Sequence, residues 1–451
     1  MDAAAVGGAE AATAAAAARG DRVARIDRCV CARVSDFVFV CVRVCACLIS
    51  CVCARALRSV RPAPLRRSAV GDATAWWLAA LESWDTFLPK NREEVGRRVR
   101  AGIPGPLRGT VWQVLTKSQE LARRAPPGEF AELVARPSES EGSIVNDITR
   151  VFPTHPFFRQ VRARARACVC VCACGCVRAC VSLTVRACVC VCVCVCVCAQ
   201  LNGVGQRSLY AVLKAYSNKD TQTGYCQGMG FVAGLCLLHM PDEPAFWLVA
   251  RLLQKYNLGT LFAPSLAGLR LALYQLDRLL EARMPALCAH LQEEQFESSI
   301  FATKWFQTLF IYSLPMRYAE RIFDAFLLEG PLVLFSVALA ILEAGIEYDG
   351  LLEQNFEQMM EYLNGVPSIL QEGGGGGGGG NHSDGIAVVG EIRPREARRA
   401  RLEPEDLLER AHNLKPPLTY SELQTYERAF VKTTEPVAGV FSIWYVLPHL
   451  R

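Results

Sequence analysis

Apolar residues recur at helical spacing from about Thr74 to Phe430, and proline or glycine breaks each run before a strand pattern can begin. Leu209, Val212, Leu213 and Tyr216 fall at i, i+3, i+4 and i+7, one stripe of a helix. Val232, Ala233, Cys236, Leu237 and Met240 keep to one helical face. Pro241 and Pro244 then punctuate the chain before a helix from about Ala245 to Tyr256. Leu269, Leu273, Leu276 and Leu280 continue the period, and Pro285 follows. Trp305, Leu309 and Tyr312 mark a further helix, closed by Pro315. Gly330-Pro331 opens a very apolar helix through Leu342, with proline at a first-turn position and Gly345 as its terminator. Strand–turn–helix alternation is absent. The pattern predicts an all-α fold, a single multi-helix domain over residues 74–430.

Composition needs to be read by position. The 451 residues are 51% hydrophobic and 21% charged, enough for a packed core and too apolar for global disorder. The net charge of +5 and the 22 cysteines invite nucleic-acid, disulfide or metal readings. Yet residues 1–70 alone carry +6 and residues 161–200 carry +5, so the body is mildly acidic and has no basic excess for phosphates. Seven cysteines lie between Cys29 and Cys53 and twelve between Cys168 and Cys198, leaving Cys226, Cys236 and Cys288. A disulfide framework spreads its cysteines through a small fold, and this chain does not.

Residues 1–73 form a low-complexity Arg/Cys/Ala-rich segment. Residues 1–18 are Ala-rich but lack the basic n-region and strongly apolar core of a secretory signal, and an Arg-rich transit peptide is the alternative within residues 11–70. Residues 161–200 begin with alternating Arg and Ala and end in five Val-Cys pairs, Val189 to Cys198. Both residue types of the Val-Cys part are apolar, so a strand would have no water face. The Cys-x-Cys spacing lacks local histidine and suits zinc poorly. The apolar run stops before Gln200, short of the roughly 20 residues a membrane span needs. GTG-TGT repeats encode Val-Cys, and CGT-GCG repeats encode Arg-Ala. The 40 residues therefore read as a translated dinucleotide repeat, a retained intron that keeps the frame. Genomic and transcript sequence test this, and codons outside the GT/GC alternation defeat it. A second insert, residues 372–402, holds the run Gly373 to Gly380 and an Arg-rich stretch, and residues 431–451 form a tail.

Motif search excludes several chemistries. The chain has no Gly-x-x-x-x-Gly-Lys-Ser/Thr loop for a nucleotide of its own, no Gly-x-Ser-x-Gly and no His-Glu-x-x-His. Its six histidines are scattered, against a histidine metal centre. Three clusters remain: Arg108-Gly109-Thr110-Val111-Trp112, Ile144-Val145-Asn146-Asp147-Ile148-Thr149-Arg150, and Gly224-Tyr225-Cys226-Gln227-Gly228-Met229. Ile144, Ile148 and Val151 make a buried stripe, which puts Asp147 and Arg150 together on another face. Pro153 ends that helix, leaving Arg150 near an element end. Taken singly, each cluster has an ordinary structural reading: a buried Trp beside a surface Arg, a surface ion pair, and a loop before a helix.

In order and combination, Arg-x-x-x-Trp, Ile-x-x-Asp-x-x-Arg and Tyr-x-Gln resemble the signature of TBC-domain Rab GTPase-activating proteins. The likeness extends to Leu209–Ser217, Trp305-Phe306, Arg321–Asp324 and Leu334–Ala340, and covers roughly Trp84 to Phe430. Phe323 stands where the family usually has Trp, which keeps an aromatic in the core. Arg150 and Gln227 lie 77 positions apart, and 37 once residues 161–200 are set aside, a junction ordinary for the family.

The resemblance implies a partner and a mechanism. The partner is a Rab-family small GTPase in its GTP form, and the chain has no cofactor of its own, acting on GTP and Mg held by the GTPase. Intrinsic hydrolysis is slow because charge on the transferring phosphoryl group is poorly compensated, and an arginine supplied in trans accelerates it by about 10³–10⁵-fold. By motif, Arg150 is that arginine finger and Gln227 a glutamine finger orienting the attacking water. Asp147 and Tyr225 hold the fingers, and Arg108 and Trp112 are scaffold. The protein is then an activator rather than an enzyme in its own right. It is cytoplasmic, without a transmembrane span or nucleic-acid partner, and recruited to endomembranes, where it regulates vesicle trafficking. A catalytically silent TBC scaffold and a cysteine-rich metal-binding protein are the alternatives.

Overall fold

A computed structural model of the chain describes residues 71–159, 203–256, 258–367, 370 and 402–433. Apart from a few flanking residues, the Arg/Cys/Ala-rich segment, the Val/Cys tract, the Gly/Arg-rich insert and the tail fall outside these. Among the described residues there are nineteen α-helices and no strand. They belong to the unit Ala73–Arg451, the first beginning one residue earlier.

Seven helices precede the first site segment: α1 (Asp72–Glu82), α2 (Trp84–Lys90), α3 (Arg92–Ala101), α4 (Gly105–Thr116), α5 (Ser118–Arg124), α6 (Glu129–Ala135) and α7 (Glu141–Ile148). Next come α8 (Val204–Lys219), α9 (Met229–His239), α10 (Asp242–Lys255) and α11 (Gly259–Phe262). The chain continues through α12 (Ala267–Arg283), α13 (Pro285–Glu293), α14 (Ser299–Gln307), α15 (Met316–Glu329), α16 (Leu332–Asp349) and α17 (Phe356–Asn364). Two more, α18 (Pro404–His412) and α19 (Tyr420–Thr433), complete it.

Three helices act as hubs. α8 packs against α6, α7, α9 and α10; α12 against α11, α13, α14 and α19; α15 against α3, α4, α16 and α18. The stripe Leu209, Val212, Leu213 and Tyr216 is buried, as its period requires. From Val333 to Leu342, α16 is almost wholly apolar and buried on every side, the property of a helix inside a core. Among the described residues, no helix is long and apolar enough to cross a membrane.

Four helix ends differ from the expectation. α7 ends at Ile148, so Arg150, Val151 and Pro153 lie beyond it. α10 starts at Asp242, not Ala245, because Pro241 precedes the first turn and Pro244 sits within it, where a missing N–H costs nothing. α14 ends at Gln307, so Leu309 and Tyr312 lie beyond it. Its end is a Schellman turn: the Phe310 N–H donates to the Trp305 carbonyl at 2.8 Å, with Leu309 at φ 51° where glycine is usual. Burying Leu309 and Phe310 offsets the steric cost of left-handed backbone, about 1–2 kcal/mol per residue. α16 runs through Gly345 to Asp349 and stops at Gly350, φ 63°. Gly345 instead gives room to a neighbour, since a Cβ there would lie 2.9 Å from the Tyr362 hydroxyl.

Candidate functional site

Ile144 and Ile148 seat α7 on the core, and Val151 is buried just beyond its end. Arg150 lies in the turn between, its N–H donating to the Asp147 carbonyl at 3.0 Å. That turn leaves the Arg150 side chain 64% exposed while Asp147 is only 18% exposed. Their separation, Nη1 to Oδ1, is 3.5 Å. A long contact at so exposed a guanidinium contributes little, so Arg150 can leave it at small cost.

Gln227 sits on a second segment. Gly224 (φ 60°) and Gly228 (φ 103°) bracket Tyr225-Cys226-Gln227, and both conformations favour glycine. They turn Tyr225 inward and leave Gln227 exposed just before α9. The Tyr225 hydroxyl donates to Asp147 Oδ2 at 3.0 Å. Burial, and then the Asp147 charge, push the Tyr225 hydroxyl well above its usual range, so it remains a donor. Asp147 therefore faces Arg150 with one oxygen and Tyr225 with the other. Burial, then Asp147, also raises the Cys226 thiol, which keeps it neutral.

The two segments are also packed together. On α9, a Cβ at Gly230 would come within 3.1 Å of Val151, and one at Gly234 within 2.7 Å of Val151 and 3.1 Å of the Phe152 ring. These glycines, i and i+4, open a shallow track on which the turn after Arg150 lies. Phe152 takes φ 46°, an uncommon value for a bulky residue, and its ring packs against Phe158 and Phe231 at 5.6 and 6.1 Å. The tertiary contacts hold this turn, since the local sequence does not favour it.

Arg108 and Trp112 belong elsewhere. Arg108 Nε lies 3.2 Å from both Asp324 oxygens and its Nη1 2.8 Å from Glu320. Trp112 Nε1 donates to Asp324 at 2.6 Å, and His239 Nε2 lies 2.9 Å from Glu320. Burial raises the Asp324 carboxyl to about 6, against the pull of Arg108 and Trp112. Neither residue forms a hydrogen bond with Arg150 or Gln227 among the described residues. The network pins α4 and α15 to the far end of α9, where a Cβ at Gly109 would lie 2.2 Å from the His239 carbonyl oxygen. Phe323 is buried edge-on against Trp112, ring centres 4.7 Å apart. Spacing does not single out Asp324, Glu320 or His239. The available signal was chemical: an Arg close to a Trp in a buried helix needs an acid opposite.

The site thus offers one exposed guanidinium and one exposed carboxamide, on segments joined by a Tyr–Asp hydrogen bond. Such a pair can donate to phosphate oxygens and orient a water. Among the described residues, no group of three His, Cys, Asp or Glu side chains is placed to hold a metal ion.

Residues 198–347 match the Rab-GTPase-TBC domain, a stretch that includes Tyr225 and Gln227 and begins after Arg150. The chain is 31% identical over 306 residues to the ecotropic viral integration site 5 protein homolog of Homo sapiens, covering 66% of this chain and 32% of that protein. It is 31% identical over 288 residues to the Rab GTPase-activating protein tbc-11 of Caenorhabditis elegans, covering 63% of this chain and 26% of that one. The chain therefore spans about a third or less of the length of the curated relatives it matches. The flagellar RabGAP TBC domain of Chlamydomonas superposes with a TM-score of 0.48 at 21% identity, covering 79% of this chain and 97% of that one.

Proposed function

We propose that this chain, whose residues 198–347 match the Rab-GTPase-TBC domain, accelerates GTP hydrolysis on a Rab-type small GTPase by supplying Arg150 and Gln227 in trans. One observation carries the reading: the Tyr225–Asp147 hydrogen bond, 3.0 Å long, joins the segment of exposed Arg150 to that of exposed Gln227. That bond brings together the segments of two side chains 77 positions apart, which supports their acting on one ligand.

In the mechanism, the GTPase brings GTP and its Mg ion and this chain brings no cofactor. The Arg150 guanidinium leaves its weak contact with Asp147 and donates to phosphate oxygens as negative charge redistributes during transfer. Asp147, still held by Tyr225, keeps the arginine's turn in place. The Gln227 carboxamide accepts from the attacking water and aligns it with the phosphorus. This preorganisation lowers the barrier because the donors are set before charge develops.

The test is GTP hydrolysis across a Rab panel with the full chain, Arg150→Ala, Arg150→Lys and Gln227→Ala. Wild type is expected to accelerate at least one Rab, toward the about 10³–10⁵-fold of supplied arginines. Both Arg150 variants are expected to lose the acceleration and keep the fold, since lysine cannot reproduce the planar fork. Gln227→Ala is expected to cripple turnover. Full activity in an Arg150 or Gln227 variant removes that residue from the mechanism.

A further inference from the structure

Between the turn that carries Arg150 and the helix that follows Gln227 lies an open cleft of about 430 Å³ with no part in the mechanism above. Phe152, His155, Phe231, Tyr312 and Met316 line it, and Arg150 borders it. The volume falls within the ~300–1,000 Å³ of pockets that bury a compact ligand group. Phe231 joins the two walls: its ring meets Phe152 edge-on at 6.1 Å and Tyr312 at 5.0 Å. These five side chains are each half-buried, so they hold apolar surface open to solvent. His155 adds one polar group of known orientation. The Phe157 N–H donates to its Nδ1 at 3.2 Å, which leaves the proton of the neutral ring on Nε2.

What covers this cleft follows from its position, given the reading that Arg150 and Gln227 reach one nucleotide. One wall is the segment of Arg150, and the other includes α9, which starts two residues after Gln227. A GTPase engaged by both side chains therefore lies over the cleft. We propose that the cleft receives an aromatic or large aliphatic side chain that the GTPase presents beside its nucleotide. His155 supplies a donor to the same segment, and the fit selects among GTPases. The subsite is a recognition element: it sets how tightly the GTPase docks, while Arg150 and Gln227 set how fast the docked nucleotide is cleaved.

The experiment separates docking from turnover. Met316→Trp fills the cleft from one wall, and Thr154→Trp fills it from its exposed rim, where the fold tolerates a larger side chain. The full chain is assayed against the Rab that wild type accelerates most, with kcat and KM measured separately. Both tryptophan variants are expected to raise KM by about tenfold or more and to hold kcat within about threefold. Met316→Leu is expected to restore the wild-type KM. Arg150→Ala is expected to do the reverse of the fillers, losing kcat. Folded Met316→Trp and Thr154→Trp proteins with unchanged KM overturn the subsite and leave the two-finger reading intact. Wild type that accelerates no Rab overturns the two-finger reading, and the subsite falls with it.

Discussion

At the scale of single residues, what distinguishes this site is the contrast between what is held and what is free. Asp147 and Tyr225 are fixed on each other, while Arg150 and Gln227 are exposed. Tyr225→Phe removes one hydrogen bond and keeps the ring. Such a bond contributes about 0.5–1.5 kcal/mol, so stimulated hydrolysis is expected to fall by about 2- to 12-fold, far less than for Arg150→Ala. A kinetic comparison of the two variants at saturating GTPase checks this, and equal losses would give Tyr225 a larger part than positioning. The types and spacing of these four residues were legible in the sequence, because Asp147 and Arg150 lie three apart at a helix end and glycines bracket Tyr225–Gln227. Their pairing was not legible, since no local pattern records which surface a tyrosine hydroxyl will meet 78 positions away.

At the scale of elements, α9 is the part on which the site depends. One end receives the Val151–Phe152 turn on Gly230 and Gly234, and the other is clamped through His239 to α4 and α15. Removing the Asp324 carboxylate leaves Arg108 and the Trp112 N–H facing a void. Asp324→Ala is therefore expected to destabilise the fold by about 3–5 kcal/mol, read by chemical denaturation. Asp324→Asn tests the proton. The folded chain binds that proton more tightly than the unfolded chain does, between the ordinary carboxyl value of 3.8 and about 6. Ionising it therefore costs stability as pH rises through that window, and the contribution is greatest below it. Relative to Asp324→Asn, wild type is expected to lose stability from about pH 4 to 6. A difference that is flat with pH would mean that Asp324 ionises as freely as in the unfolded chain. Seven of the nineteen helices, α7 to α10, α12, α14 and α16, were readable from period and proline; the ends of α7, α10, α14 and α16 were not. Leu309 stops a helix in glycine's place and Gly345 continues one, each because of what packs against it.

At the scale of the whole molecule, residues 161–200 interrupt the chain between the two site segments. The structure brings the flanks together: the Gly205 N–H donates to the Phe157 carbonyl at 3.0 Å, and a Cβ at Gly203 would lie 3.1 Å from the Phe158 and Arg159 carbonyl oxygens. The chain thus enters and leaves this stretch at one place. Shortening the stretch between residues 159 and 203 from 43 residues to 3 lowers the entropic cost of closing it by roughly (3/2)RT ln of the length ratio, about 2 kcal/mol. Deleting residues 161–200 is expected to raise the thermal midpoint by a few degrees and to leave stimulated GTP hydrolysis within about twofold. Calorimetry and the Rab assay, run on both chains, check it. A collapse of the fold on deletion would make the tract structural. The same deletion removes twelve cysteines, so a rise in soluble yield is expected as well.

Helical character and the chemical types at the site are local properties, carried by side-chain period, by proline and glycine, and by short motifs. They were therefore present in the linear chain. The meeting of Tyr225 with Asp147, the buried acid opposite Arg108, the left-handed turns at Phe152 and Leu309, and the cleft beside Arg150 came only with the tertiary structure. The reason is physical. Each depends on contacts between distant segments, and those contacts outweigh the local preference that the sequence displays.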